Sequence, residues 1–169
     1  MGTGGVIIPP PGYYQKIRAI CDTHEVLLID DEVINAFGRT GLMFGIDHWE
    51  GVRPDFMTIA KAISSGYVQL GAVALSDEIF HTLKTLDKIM HGYTYSGDPL
   101  ACAVGLKNLE IIERENLTAN SKAMGKRLLQ GFTGLDHELI GEVRGKGLMV
   151  GVELVKDRKT KEKFERSEE

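Results

Sequence analysis

Apolar and polar positions fall in blocks along the chain, and the spacing inside each block predicts an element. Tyr13, Tyr14, Ile17, Ile20 and Cys21 recur with a helical period. Pro9, Pro10, Pro11 and Gly12 stand just ahead of them, where proline is tolerated. Val26-Leu27-Leu28-Ile29 is a continuous apolar run, the pattern of a strand buried on both faces, and it ends in Asp30, Asp31 and Glu32. Helix followed by buried strand is the repeating unit of a parallel α/β sheet. Residues 37–51, with Gly38, Gly41, Gly45 and Gly51, read as a long loop, and 56–63 is apolar around Lys61. Gly71 to Leu75 reads as another short buried strand, and Asp77 as the cap of a helix running to Leu86. After a loop at 92–99, Leu100 to Arg114 predicts a helix with Ala103, Leu106, Leu109 and Ile112 on or near one face. Thr118 to Phe132 predicts another, facing inward through Met124, Leu128 and Phe132. Gly141 to Val155 has glycine-punctuated β character, and the densely charged stretch from Lys156 reads as a solvated tail or linker.

Composition narrows the partners. A net charge of −4 leaves no basic excess to neutralise phosphates, which argues against nucleic acid and anionic membrane surfaces. Cys21 and Cys102 form no C-x-x-C pair and read as free thiols in a reducing compartment. His24, His48, His81, His91 and His137 show no ligand spacing, so no metal is expected. The start MGTGGVIIPPPGYY has no basic region followed by a long apolar one, and no apolar run approaches the roughly 18 residues of a membrane span. A cytoplasmic protein is the expectation.

Two residues stand out chemically. In open α/β sheets ligands bind at the carboxyl ends of the strands, and Asp31 follows a buried strand directly. Lys61 lies thirty residues on, flanked by Ile59, Ala60, Ala62 and Ile63. An apolar surround favours the neutral amine, and only a neutral amine attacks an aldehyde. By spacing alone, Lys61 is one of twelve lysines, most of which are solvated, and Asp31 is an ordinary strand-end acid.

A longer match adds to this. The runs LLIDDEVINAFGRTGLMFG, GVRPDFMTIAKAISSGYVQLGAVALS and HGYTYSGDPLACA resemble the class III pyridoxal-phosphate aminotransferases, the family of 4-aminobutyrate, ornithine and omega-amino-acid:pyruvate transaminases. The resemblance runs from GTGGVIIPPPGY to RGKGLMVGVELVKD and is densest at Leu28–Ser76 and Gly92–Ala103. It implies an α/β fold of the aspartate-aminotransferase (fold type I) kind, with a mostly parallel sheet and flanking helices. Residues 1–138 would be part of the cofactor-binding large domain, and 139–169 the beginning of the small C-terminal domain.

The resemblance also implies roles. Asp31 is the carboxylate that pairs with the pyridine nitrogen of pyridoxal 5'-phosphate, keeping the ring protonated as an electron sink. Asp30, one position earlier, points to the other side of the strand. Val33 packs against the ring and Ile34 lies near its phenolic oxygen. Lys61 holds the cofactor covalently and, once displaced by substrate, shuttles a proton. Thr94, with Tyr93 beside it, reaches the cofactor phosphate of a neighbouring subunit. The loop Phe37-Gly38-Arg39-Thr40-Gly41 has a structural role, and Gly2-Thr3-Gly4-Gly5 is a loop after a strand. The implied activity is transfer of an amino group from an amine or omega-amino acid to a keto acid such as pyruvate, in a homodimer or larger assembly. Aminomutase or racemase chemistry, and a catalytically inactive remnant, are the alternatives.

Several positions depart from the family pattern: Gln69 for proline, Ala62 and Ala36 for glycines, Asp98 for His or Asn, and one extra residue near Trp49-Glu50-Gly51. Family members are also much longer. The expectation is therefore a fragment that lacks an upstream phosphate loop and stacking aromatic, and a downstream carboxylate-binding arginine.

Overall fold

The computed structural model describes residue 2 and residues 4–165. Thr3 of the glycine-rich start and residues 166–169 of the charged end lie outside the described residues.

The chain opens with helix α1 (Tyr13–Thr23), whose preceding Gly12 sits at φ 78°, a turn that a side chain would strain. Strand β1 (Ile29–Asp31) follows, then β2 (Phe56–Ile59) and β3 (Ala72–Leu75), which form one three-stranded sheet in that order. Helix α2 (Asp77–Lys84) leads through a long loop to α3 (Pro99–Arg114) and α4 (Leu117–Thr133), and β4 (Ile140–Lys146) and β5 (Met149–Leu154) close as an antiparallel hairpin. Strands β1 and β2 are parallel, with Ile29, Asp30 and Asp31 opposite Phe56, Met57 and Thr58. Strand β3 runs antiparallel to β2, so the sheet is mixed rather than mostly parallel. The segment 60–71, which holds the 3₁₀ turn Lys61–Ile63, folds back and returns the chain antiparallel to β2.

The apolar run that pointed to a two-sided buried strand is largely exposed: Val26 by 55%, Leu27 by 54% and Ile29 by 63%. Strand β1 is the outermost of the described sheet, so one edge and part of its faces lack a covering layer. Strand β3, also expected to be buried, is exposed along most of its length for the same reason. The core lies instead in the 37–51 segment and just beyond it. Ile46, Trp49 and Val52 are buried together, with Tyr14, Leu28, Phe44 and Met57 packed around them. Tyr14 of α1 meets the Trp49 ring edge-on at 4.6 Å. Arg18 of α1 bonds Asp55 at 2.9 Å, and the same Asp55 oxygen accepts from the Leu28 amide at 2.7 Å. Helix α1 is thereby fixed to both parallel strands.

The helices differ from expectation in the face they bury. Helix α3 buries Ala101, Gly105 and Ile112 and leaves Leu106 exposed. Helix α4 buries Ser121 and Gly125, while Met124 and Leu128 keep 41% and 40% of their surface exposed. Small residues line these contacts because backbone comes close: a Cβ at Gly125 would run into the main chain of Gly147 at the hairpin turn. Helix α2 is capped by Ser76, whose hydroxyl accepts from the Ile79 amide at 3.3 Å, and not by Asp77. Asp77 is the first helical residue, where its charge meets the helix dipole. Helix α3 starts with Pro99 behind Asp98, whose carboxylate accepts from the Ala101 amide at 2.7 Å.

Candidate active site

Parallel pairing puts the two chemically marked residues at one end of the sheet. Asp31 is the last residue of β1 and lies opposite Thr58 of β2. Lys61 stands two residues past the end of β2 and opens a short 3₁₀ turn, Lys61–Ile63. Both therefore lie at the carboxyl ends of adjacent parallel strands, with Lys61 three residues beyond the rung of Asp31.

Asp31 is exposed, and its Oδ1 accepts from the Val33 amide at 3.0 Å, a local turn that ends the strand and orients the carboxylate. The next amide, of Glu32, donates to the Thr58 carbonyl at 2.9 Å and carries the pairing one residue further. Val33 is half-buried and Ile34 exposed.

Lys61 is exposed too, in contrast to the buried amine its apolar neighbours suggested. The neighbours take the interior: Ile63 is buried, Ile59, Ala60 and Ala62 are half-buried, and the lysine faces an open depression shared with Ser64, Gly66 and Val68–Gly71. Its backbone lies at φ 47°, in the left-handed region, which costs a residue with a side chain about 1–2 kcal/mol. Such strain persists only where the surroundings hold it, and here α3 does so. Asn108 Nδ2 donates to the Ala62 carbonyl at 2.8 Å and to the Ile63 carbonyl at 3.1 Å. Ser65 Oγ donates to Asn108 Oδ1 at 2.7 Å, and Ser64 Oγ to the Val68 carbonyl at 2.6 Å.

Tyr93 and Thr94 are exposed in the loop between α2 and α3. The Tyr93 amide donates to Ser96 Oγ at 2.9 Å, which folds the loop into a turn. Tyr93 borders a second depression with Tyr95, Ser96 and Leu100, which shares Val68–Gly71 with the Lys61 depression. Asp31 and Lys61 thus share one end of the sheet, and Tyr93 lines the depression next to that of Lys61. Gln69 borders both depressions. The Phe37–Gly41 loop is held by its backbone: the Arg39 carbonyl accepts from Ser121 Oγ at 3.0 Å and from the Leu148 amide at 3.1 Å.

The far face of β1 has its own electrostatics. Asp30 is half-buried, and burial, then the neighbouring Glu32 charge, pushes its carboxyl up to about 7. Glu32 is 1% exposed, and its Oε1 accepts from the Ile46 amide at 2.6 Å. Burial, then the Asp30 charge, raises the Tyr14 phenol.

Reading the motifs missed Glu32 and Asn108. Glu32 was visible as the acid after Asp31, but burial is not written in its spacing. Asn108 did leave a signal. It follows Ala101 and Gly105 and precedes Ile112 at helical spacing, a polar residue inside the buried stripe of α3.

The donor set suits a pyridine aldehyde: an accessible primary amine, an oriented carboxylate beside it and an aliphatic Val33 next to that carboxylate. Comparison with known proteins points the same way. The family model for class III aminotransferases matches residues 1–169. An uncharacterized aminotransferase, YhxA, of Bacillus subtilis is 48% identical over 94% of this chain and 36% of its own length. The taurine–pyruvate aminotransferase of Bilophila wadsworthia is 46% identical, again over 94% of this chain and 36% of its own. A solved (S)-enantioselective omega-transaminase from Thermomicrobium roseum superposes with a TM-score of 0.94 at 52% identity, over 99% of this chain and 38% of that one. The chain spans little more than a third of the length of these relatives. With the match running from first residue to last, the chain belongs to the class III aminotransferases, a pyridoxal-phosphate-dependent family.

Proposed function

We propose that this chain forms the lysine-bearing part of a transaminase that moves an amino group from an amine or omega-amino acid to a keto acid such as pyruvate. The carrying observation is the placement of Asp31 and Lys61 at the carboxyl ends of neighbouring parallel strands. Bound pyridoxal 5'-phosphate supplies the electron sink for loss of a proton from the amino-bearing carbon.

The residues of the chain do the rest. Lys61 would anchor the cofactor through its amine and, when freed, would accept and return a proton at Nζ. Asp31 holds the proton on the ring nitrogen, and its bond from the Val33 amide aims it. Val33 forms one apolar wall of the ring site, with Ile34 towards the ring's oxygen. Thr94, beside Tyr93, donates to a phosphate. The family resemblance supports assigning that phosphate to a second copy's site, and so a homodimer. Residues 1–138 belong to the large domain in this reading. The hairpin that begins at Ile140 supports a small domain starting at 139.

In a protein extended to the length of its relatives, borohydride reduction in the presence of pyridoxal phosphate, followed by peptide mapping, tests the assignment. The cofactor is expected on Lys61 alone and nowhere in Lys61→Ala. Labelling of another lysine in place of Lys61 overturns it.

A further inference from the structure

The face of β1 turned away from Asp31 carries a second carboxyl pair. Asp30 and Glu32 are two residues apart in extended backbone, so their side chains leave on the same side. Asp30 Oδ2 and Glu32 Oε2 are both shielded from solvent, and no described residue donates to either. Two shielded carboxyl oxygens on one side of the strand without a donor disfavour two charges there, and burial with the neighbouring Glu32 favours the protonated Asp30. Ionised carboxylates only accept, so a bond between them exists only with a proton in it.

We propose that Asp30 and Glu32 share a single proton and together act as a positioning pair for the strand end that carries Asp31. With the proton present the pair bears one charge instead of two. It also joins Asp30 to Glu32, and Glu32 Oε1 joins the strand to the Ile46 amide at the edge of the Ile46–Trp49–Val52 core. When the proton leaves to solvent, two buried like charges face each other beside a third on Asp31. The strand end then loses its tie to that core.

The groups facing the pair are few. Glu32 and Asp31 come from its own segment and Tyr14 from α1, while β2 places uncharged Met57 opposite Asp30. Burial, Glu32 and Asp31 all favour the protonated Asp30. The positioning role rests on Asp31 being the ring's carboxylate, whereas the shared proton does not.

The test is infrared spectroscopy of the chain carrying ¹³C-carboxyl aspartate, which reads dissolved and self-associated protein alike and needs no cofactor. A protonated aspartic-acid carbonyl band is expected at pH 6, vanishing with a midpoint near 7. Asp30→Asn, a near-isosteric change, should remove the band. Glu32→Gln should shift the midpoint down by a unit or more, because an amide donates to Asp30 without a shared proton. Absence of the band at pH 6 in the unsubstituted chain, or its survival in Asp30→Asn, overturns the shared proton whether or not Glu32→Gln folds.

Amide exchange at Ile46, corrected for intrinsic rate, reads the positioning. It should quicken between pH 6 and pH 9 in the unsubstituted chain and stay level in Asp30→Asn. A titrating band with level Ile46 exchange in both overturns the positioning role alone. Unchanged amino transfer in Asp31→Asn, measured in a protein extended to the length of its relatives, would instead sink the proposed function and leave the shared proton standing.

Discussion

Replacing Asn108 by alanine tests how the fold holds its lysine. The side chain makes three hydrogen bonds, two to the carbonyls of Ala62 and Ile63 and one from Ser65. Each contributes about 0.5–1.5 kcal/mol net, so their loss costs about 2 kcal/mol once partial rehydration at this half-buried site is allowed for. The left-handed backbone of Lys61 stores about 1–2 kcal/mol in the opposite sense. The two are comparable, so without Asn108 the strain is no longer offset, a relaxed turn gains on the native one, and Lys61 is no longer held in one place.

Thermal unfolding followed by circular dichroism should show a drop of about 4–8 °C, at about 2–4 °C per kcal/mol for a chain of this size. Asn108→Asp keeps the volume but turns a carboxylate toward two carbonyls, so it should lose at least as much. Amide exchange at Ser64, whose N–H donates to the Lys61 carbonyl at 3.3 Å, should accelerate in both variants. Unchanged melting together with unchanged exchange at Ser64 would refute the idea that α3 holds the lysine turn.

Three further outcomes are expected. In a protein extended to the length of its relatives, Asp31→Asn should slow amino transfer by orders of magnitude with cofactor still bound, and Asp30→Asn should do much less; equal or reversed effects in steady-state assays would contradict the assignment of faces on β1. Stability should depend on pH through Asp30. Its folded carboxyl titrates near 7, above the ordinary 3.8, so the folded chain holds this proton more tightly and stability falls as pH rises from about 4 to about 7, then levels. After discounting for solvent reach the fall is about 1–3 kcal/mol, and denaturant titrations at pH 5 and 8 should show it reduced in Asp30→Asn. Finally, the 169 residues alone should take up pyridoxal phosphate at less than one equivalent, without turnover, and self-associate through exposed residues such as Tyr67, Met90, Tyr95 and Leu106. Equilibrium titration and sedimentation check this, and stoichiometric uptake with measurable amino transfer would contradict it.

Local pattern carried most of the elements. Helical spacing located α1, α3 and α4 to within about two residues, because a helix satisfies its own backbone and its signal lies in its own residues. The same reading marked Asp31 at a strand end and Lys61 in an apolar run, and the motif order pointed to the family that the full-length match shows. Burial was not legible in this way. Val26, Leu27 and Ile29 have the composition of a buried strand and are exposed, since burial belongs to whatever covers a face and not to the strand itself. Met124 and Leu128 yielded the inner face of α4 to Ser121 and Gly125 because the backbone at Gly147 comes too close for larger side chains. The antiparallel course of β3, the left-handed turn at Lys61 and its anchoring by Asn108, 47 positions away, were set by tertiary contact. So was the pairing of Asp30 with Glu32. Their spacing puts them on one side of the chain, but only the packing of Ile46 and Tyr14 around them withholds the water that would otherwise keep both ionised.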